Sequence, residues 1–348
     1  MRHFIIDFHY TVPAEQLGET TAEHRAFLQA GYQQGLLLFS GLKVPGNGGM
    51  IVARAESTEE LAEFFKNDPY QKKGMATYEY IEFDPVSNQG FLEEWVSGKG
   101  EAAGFSPGQE FMKMTRYQYQ APSQQSQGLP QPPLELSPAE SGKTIDLPAP
   151  DTIQISPIDL RQAIEHRRSR RHYTDLPLTM EELSFLLWLT QGVKEVTNRP
   201  ATQRTVPSAG ARHAFETYLA VNRVEGLPAG LYHFLAIEHR LQELPSGPDF
   251  INRLMEACRQ QQHVVDSAVT FVWVAVRERM YWRYGERGYR FLHLDAGHVC
   301  QNLYLAAEAL HCGVCAIGAY DDDNINQLLG LDGVDQFVIY GATLGKRG

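Results

Sequence analysis

Short apolar blocks, set off by glycine, proline and capping residues, organise the first hundred positions. His3 to Tyr10 is an apolar-rich run of strand length, and Thr20 with Glu23 fits a capping box opening a helix that runs to about Gln34 and stops at Gly35. Leu36 to Gly41 predicts a second strand, Pro45-Gly46-Asn47-Gly48-Gly49 a turn, and Met50 to Ala55 a third strand. Ser57 and Glu60 open another capped helix, and Thr77 to Phe83 closes the block as a strand. The order β-α-β-β-α-β is the split βαβ, or ferredoxin-like, arrangement. Helices on one face of so small a sheet leave its other face to pair with a second sheet.

The pattern then breaks. Nine of the 19 prolines fall between Gly98 and Pro157, which excludes a long helix or a central strand there. Phe111, Met112, Tyr117 and Tyr119 lie in the same stretch, so a linker near Gly98 followed by an extended arm lying on the second domain is expected. Periodicity returns at Ser156-Pro157-Ile158-Asp159, a helix start with Leu160, Ala163 and Ile164 on its apolar side. Thr179 and Glu182 form a second capping box before the apolar helix from Leu183 to Gln191, which Gly192 ends. Phe215 to Val221 and Gly230 to Phe234 predict strands, and the small residues from Gly297 to Ala309 suit a tightly packed helix at a subunit interface. The expectation is an α+β chain with a ferredoxin-like domain at 1–97, a linker and arm at 98–150, and a second α+β domain at 151–348.

Composition fits that division. A chain of 348 residues exceeds what one core usually serves. The net charge of -11 argues against a general nucleic-acid binder, which shows a basic face. No apolar run reaches the roughly 18 residues of a membrane helix, and no signal-peptide core opens the chain. Four cysteines do not make a disulfide framework in a chain this long, so a reduced, cytoplasmic setting is expected.

Against the acidic background, Arg167-Arg168-Ser169-Arg170-Arg171 stands out. Arginine makes forked, charge-assisted bonds to phosphate, and serine adds a neutral donor and acceptor. A solvated basic helix end that complements the helix dipole is the other reading of the same residues. Farther on stand Pro207-Ser208-Ala209-Gly210, Arg283-Tyr284, Tyr289-Arg290-Phe291, Asp295-Ala296-Gly297-His298, Gly318-Ala319 and Lys346-Arg347. Cys312-Gly313-Val314-Cys315 has metal-ligand spacing but leads into an apolar strand, with no second pair, and reads as buried small residues; no metal is expected. A Gly-x-Gly-x-x-Gly between strand and helix is absent, which leaves a Rossmann dinucleotide site unsupported.

Taken in order, this set resembles the nitroreductase family, and within it the SagB-type dehydrogenase branch, over about 111–348. The resemblance implies a homodimer that binds FMN at the subunit interface, with NAD(P)H as donor in a ping-pong cycle. It implies that Arg167, Arg168, Ser169 and Arg171 bind the FMN phosphate, ribityl chain and flavin edge, and that Lys346 and Arg347 complete the phosphate site. Pro207, Ser208, Ala209 and Gly210 would approach the flavin from the partner subunit, and the Gly318–Ala319 backbone would lie beside its reactive edge. Azoline-oxidising members carry Lys-Tyr where this chain has Arg283-Tyr284. Arginine stays protonated, so Tyr284 is left as the proton acceptor, or as a packed aromatic with a satisfied hydroxyl. Oxidation of an azoline in a modified peptide, and a non-catalytic FMN-binding or sensory module, are the alternatives.

Residues 1–97 resemble the YciI-like family, through His24, Gly35, Ser40-Gly41, Asn67-Asp68-Pro69-Tyr70 and Gly74. The resemblance makes His24 and Asp68 pocket residues. The plainer reading is that Asp68 caps a turn and His24 is a partly exposed helix residue.

Overall fold

The computed structural model describes residues 1–88, 92–98, 107–139 and 142–348. It divides into two compact units, Met1–Met114 and Thr115–Gly348.

In the first unit, β1 (Arg2–Tyr10), α1 (Thr20–Gln33), β2 (Leu37–Leu42), β3 (Gly48–Ala55), α2 (Thr58–Phe65), α3 (Pro69–Lys72) and β4 (Ala76–Phe83) build a sheet in the order β2-β3-β1-β4. Its neighbours are antiparallel. Alternation along β1 sends Phe4, Ile6 and Phe8 into a core with Leu28, Leu61 and Phe65. Gly31 lets α1 close on the sheet, because a Cβ there would lie 2.6 Å from Leu37 Cδ1. Ser57 caps α2 as expected, accepting from Glu60 N at 3.3 Å. The capping box expected at Thr20 and Glu23 is not formed. Lys73 Nζ takes both side chains, Thr20 Oγ1 at 3.0 Å and Glu23 Oε2 at 2.7 Å, and α1 starts with no side-chain cap. Two short helices follow, α4 (Glu93–Ser97) and α5 (Pro107–Met114).

The second unit is built on a seven-stranded sheet. Its elements are β5 (Thr144–Asp146), α6 (Leu160–His166), α7 (Met180–Gln191), the hairpin β6 (Val193–Val196) and β7 (Thr202–Arg204), β8 (Phe215–Val221), β9 (Gly230–Leu235) and β10 (Arg240–Leu244). Then come α8 (Phe250–Ala257), α9 (His263–Asp266), β11 (Val269–Val276), α10 (Arg277–Tyr284), α11 (Gly288–Ala309), β12 (Cys312–Ile317), α12 (Asp322–Leu329) and β13 (Gln336–Lys346). The strand order is β12-β13-β11-β8-β9-β10-β5, every pair antiparallel. All of β11 is buried, which explains its apolar run from Phe271 to Val276, and α7 and α11 pack over one face with α8 and α12 over the other. The capping box of α7 forms as expected. Helix α6 begins three residues later than expected. Asp159, not Ser156, has the extended backbone and the oxygen within reach, 3.1 Å from Gln162 N. Cys312 and Cys315 are both buried in β12; an odd offset sends them to opposite faces, so they cannot share a ligand.

From Pro122 to Ala139 the chain runs over this unit, fixed mainly by its backbone. Trp282 Nε1 donates to Leu129 O at 2.9 Å, Gln125 N donates to Trp282 O at 2.8 Å, and Gln242 exchanges two hydrogen bonds with Ala139. Beneath it lies a buried ionic cluster. Glu216 receives His233 Nε2 at 2.7 Å, the Arg279 guanidinium, and Leu136 N at 2.9 Å, and Arg279 Nε also donates to Pro133 O. Burial alone would raise the Glu216 carboxyl, but the His233 hydrogen bond and the Arg279 charge outweigh it and hold the group at about 2.

Candidate functional site

The arginine segment is pinned to the sheet edge by its backbone. Ser169 forms a parallel bridge with Val314, Arg170 N donates to Val314 O at 2.8 Å, and Thr174 N donates to Lys346 O at 2.9 Å. Tyr304 of α11 joins the parts: its hydroxyl receives Ala316 N at 2.9 Å and lies 2.9 Å from Ser169 Oγ, while Arg167 covers its ring at 5.2 Å. Arg168 and Arg171 are exposed and make no hydrogen bond or ion pair among the described residues. Lys346 and Arg347 arrive at the same strand end, but each already meets a carboxylate, Lys346 that of Glu182 and Arg347 that of Glu308 at 2.9 Å.

A chain of hydrogen bonds links this segment to the Gly318–Ala319 loop, and its members carried no signal in the sequence. Tyr173 Oη lies 2.8 Å from Thr343 Oγ1, which lies 2.9 Å from His263 Nδ1; His263 Nε2 lies 3.1 Å from Gln261 Oε1, and Gln261 Nε2 donates to Ala319 O at 2.7 Å. Burial, then the Arg171 charge, lowers the His263 pKa. Space beside Gly318 is open: a Cβ there would meet Tyr340 Cε2 at 3.9 Å and nothing nearer.

The other predicted residues gather elsewhere. Pro207 to Gly210 lead into a tight loop in which Gly210, Ala211 and His213 all have positive φ. Strain of that kind persists only where neighbours enforce it. Here Asp295 receives Ala209 N at 3.2 Å, and Ser208 Oγ receives His213 N at 2.9 Å. A Cβ on Gly210 would lie 2.5 Å from Tyr284 Oη and 2.8 Å from Arg283 Nε, so the Arg283–Tyr284 pair packs directly on this loop. The Tyr284 hydroxyl makes no hydrogen bond among the described residues, contrary to a packed aromatic with a satisfied hydroxyl. Arg212 and Trp282, which the motifs did not include, support the pair: the guanidinium stacks on the indole at 5.3 Å and donates to Gly210 O at 3.0 Å.

Within one chain these two groups lie at opposite ends of β11. Ser169 sits at the level of Val314, Leu344 and Val269, whereas the loop and α10 sit beyond Val276. Seven strand steps separate those levels, about 23 Å at roughly 3.3 Å per residue.

In the first unit, His24 and Asp68 meet. His24 Nδ1 lies 2.9 Å from both Asp68 oxygens, and the carboxylate also receives Tyr70 N at 2.9 Å and the Tyr78 hydroxyl at 2.7 Å. Asp68 therefore caps α3 and holds an imidazole at once. His24 is buried, not the partly exposed helix residue of the plainer reading. Among the described residues no group of three or more His, Cys, Asp or Glu side chains could hold a metal ion, and no helix is long and apolar enough to cross a membrane.

Residues 164–346 match the nitroreductase family. The chain belongs to that family. Its second unit is thus that of an oxidoreductase, and residues 1–84 match the YCII-related domain. A protein of Methanocaldococcus jannaschii provisionally named a nitroreductase is 34% identical over 188 residues, 54% of this chain and 91% of that protein. The trifolitoxin-processing protein of Rhizobium leguminosarum bv. trifolii is 29% identical over 163 residues, 44% of this chain and 44% of its own length. A crystal structure from Anabaena variabilis, provisionally named a nitroreductase, superimposes with a TM-score of 0.50 at 31% identity, covering 60% of this chain and 42% of that one.

Proposed function

We propose that this nitroreductase-family protein is an FMN-dependent oxidoreductase working by a ping-pong cycle, with NAD(P)H as electron donor. The observation that carries the reading is the arginine segment: in a protein of net charge -11, Arg168 and Arg171 have no carboxylate partner among the described residues, their backbone is pinned at Val314, and the strand that holds them, β12, leads four residues on to Gly318, whose Cβ position is open. That suits a phosphate next to a flat ring, because a dianion needs several charged donors and a ring needs a backbone without a side chain. Arg167, Arg168, Ser169 and Arg171 would hold phosphate and ribityl chain, and Lys346 and Arg347 would complete that end. The Ala319 carbonyl, held by Gln261, would fix the loop at the ring edge. FMN, when bound, supplies the hydride chemistry.

The separation of the two groups along β11 favours a homodimer in which Pro207 to Gly210, with Arg283 and Tyr284, serve the cofactor of the partner subunit. A groove lined by Ile158, Leu160, Phe185, Leu189 and Leu305 supplies an apolar face for that association. FMN occupancy and dimerisation are then coupled by mass action.

A second reading, oxidation of an azoline in a modified peptide, is favoured by the similarity to the trifolitoxin-processing protein. Arg283 weighs against it, since a guanidinium cannot take a proton and only Tyr284 or water could. The test is direct: purified protein should show flavin absorbance, release FMN on denaturation, and bleach rapidly with NAD(P)H. Protein that neither retains nor rebinds FMN sinks the proposal.

A further inference from the structure

We propose that the electron acceptor of this protein carries a carboxylate, which the Arg283 guanidinium and the Tyr284 hydroxyl receive above Gly210, with the charge of Arg212 behind them. The inference rests on the FMN reading above and names the substrate class for it. Three polar side chains meet at Gly210. A Cβ there would lie 2.5 Å from Tyr284 Oη and 2.8 Å from Arg283 Nε, and the Gly210 carbonyl receives Arg212 Nε at 3.0 Å. Arg283 is exposed and makes no hydrogen bond or ion pair among the described residues, and the Tyr284 hydroxyl makes no hydrogen bond among them either. Arg212 is buried, and Gly210 O is its one hydrogen-bond partner among the described residues. The group is thus rich in donors, positively charged, and without a protein carboxylate among the described residues.

The backbone beneath it is held firmly, unlike that of an arginine left to solvent. Trp282 O receives Gln125 N at 2.8 Å, its indole Nε1 donates to Leu129 O at 2.9 Å, and the Arg212 guanidinium stacks on the ring at 5.3 Å. The residue before Arg283 is therefore clamped between the arm and the Gly210 loop. Phe291 meets the Tyr284 ring at 4.7 Å and fixes its direction. Burial, then the Arg283 charge, lowers the Arg212 pKa, so the two guanidiniums sense one another. Folding gains nothing from that repulsion, whereas a bound anion offsets it. A guanidinium fork beside one neutral hydroxyl matches the two oxygens of a planar carboxylate. The arginine segment at the other end of β11, with several charged donors, suits the dianionic phosphate instead. Binding is all that is asked of Arg283 and Tyr284 here; the redox step is that of the flavin cycle proposed above.

The probes are 4-nitrobenzoate and 4-nitrobenzamide, which share a reducible nitro group and differ in charge, offered as acceptors to the flavin-loaded full chain. Arg283→Gln should lower the preference for the anion, read as the ratio of the two kcat/KM values, on the order of 10-fold and mostly through KM. Comparing that ratio between proteins cancels the intrinsic reactivity of the probes. Arg283→Lys keeps the charge and should retain most of the preference, and Tyr284→Phe keeps the packed ring and should lose part of it. Calorimetric titration of the oxidised protein with benzoate, with no turnover, should give the same order of affinities, and benzamide should not bind. Flavin absorbance reports loading in every variant. A chain that takes up no FMN sinks the reading on which the inference rests, and the inference with it. Loaded wild type that binds benzoate no better than benzamide, an unchanged ratio in Arg283→Gln, or a loss in that variant confined to the NAD(P)H half-reaction overturns the carboxylate assignment alone.

Discussion

Arg204 and Arg279 lie buried around Glu216 beneath the arm, while Arg168 and Arg171 stand exposed beside β12 with no carboxylate partner among the described residues. In the first region Glu216 is engaged by Arg279, His233 and Leu136 N, and Arg204 is held by Thr202 and Gln191, so the role of the cluster is to fix the arm and β8. In the second, the positive charge is held in place by backbone pairing and left without an answer. Residue type does not separate these roles; pairing does. An exposed guanidinium with no counter-charge on a backbone pinned to the sheet suits an anion from outside, and a buried one held by protein oxygens serves the fold.

The largest effect should come from opening the buried region. Glu216→Gln leaves Arg279 buried without its counter-charge and should cost about 3–5 kcal/mol, read from urea midpoints on cofactor-free protein. A loss below about 1 kcal/mol would place the cluster with ordinary surface pairs. The same burial should make the second unit acid-sensitive. Burial, then Arg204, pushes His213 down to about 3, so its neutral form is favoured on folding. The unfolded chain binds that proton from about pH 6.5 downwards and the folded one does not, so stability should fall as pH drops from 6.5 towards 3. Glu216 adds a further loss below its unfolded pKa, as pH falls from about 4.5 towards 2. Midpoints of His213→Gln should be flatter with pH between 6.5 and 4.5; an unchanged slope counts against the assignment.

The open region should behave the other way. Arg167→Ala should cost roughly 1.5–3 kcal/mol of FMN affinity by titration, with little change in the stability of the cofactor-free protein. Loss of stability with unchanged affinity would reverse the comparison. Arg283→Lys offers a base in place of a permanent cation, and should raise azoline oxidation relative to NAD(P)H-dependent quinone reduction in parallel turnover assays. Fast azoline oxidation by the wild type would show that the arginine is no obstacle. The smallest effect belongs to Arg161 with Glu165, an exposed i,i+4 pair at 2.8 Å on α6. Arg161→Ala should change stability by no more than about 0.5 kcal/mol and leave FMN binding unchanged.

The sequence by itself determined what is local. Period-2 and period-3.6 patterning and turn residues located β1, α1, β3, α7 and β8 to within a few residues, and Thr179 with Glu182 announced a cap that forms. Motif order was enough to identify the nitroreductase match and the YCII-related one. What only the tertiary structure decided depends on atoms far apart in the chain. Lys73 dismantles a plausible capping box fifty residues away, because a charged donor outcompetes a backbone amide for Thr20 and Glu23. Gln261, His263 and Thr343 have no pattern of their own, and act as a hydrogen-bond chain because β13 and the start of α9 bring them together. His24 and Asp68 were candidates from the sequence, but it took folding to show one carboxylate both capping a helix and orienting an imidazole. Hydrophobic periodicity is a property of neighbours along the chain, whereas the state of a charge depends on which residue ends up beside it.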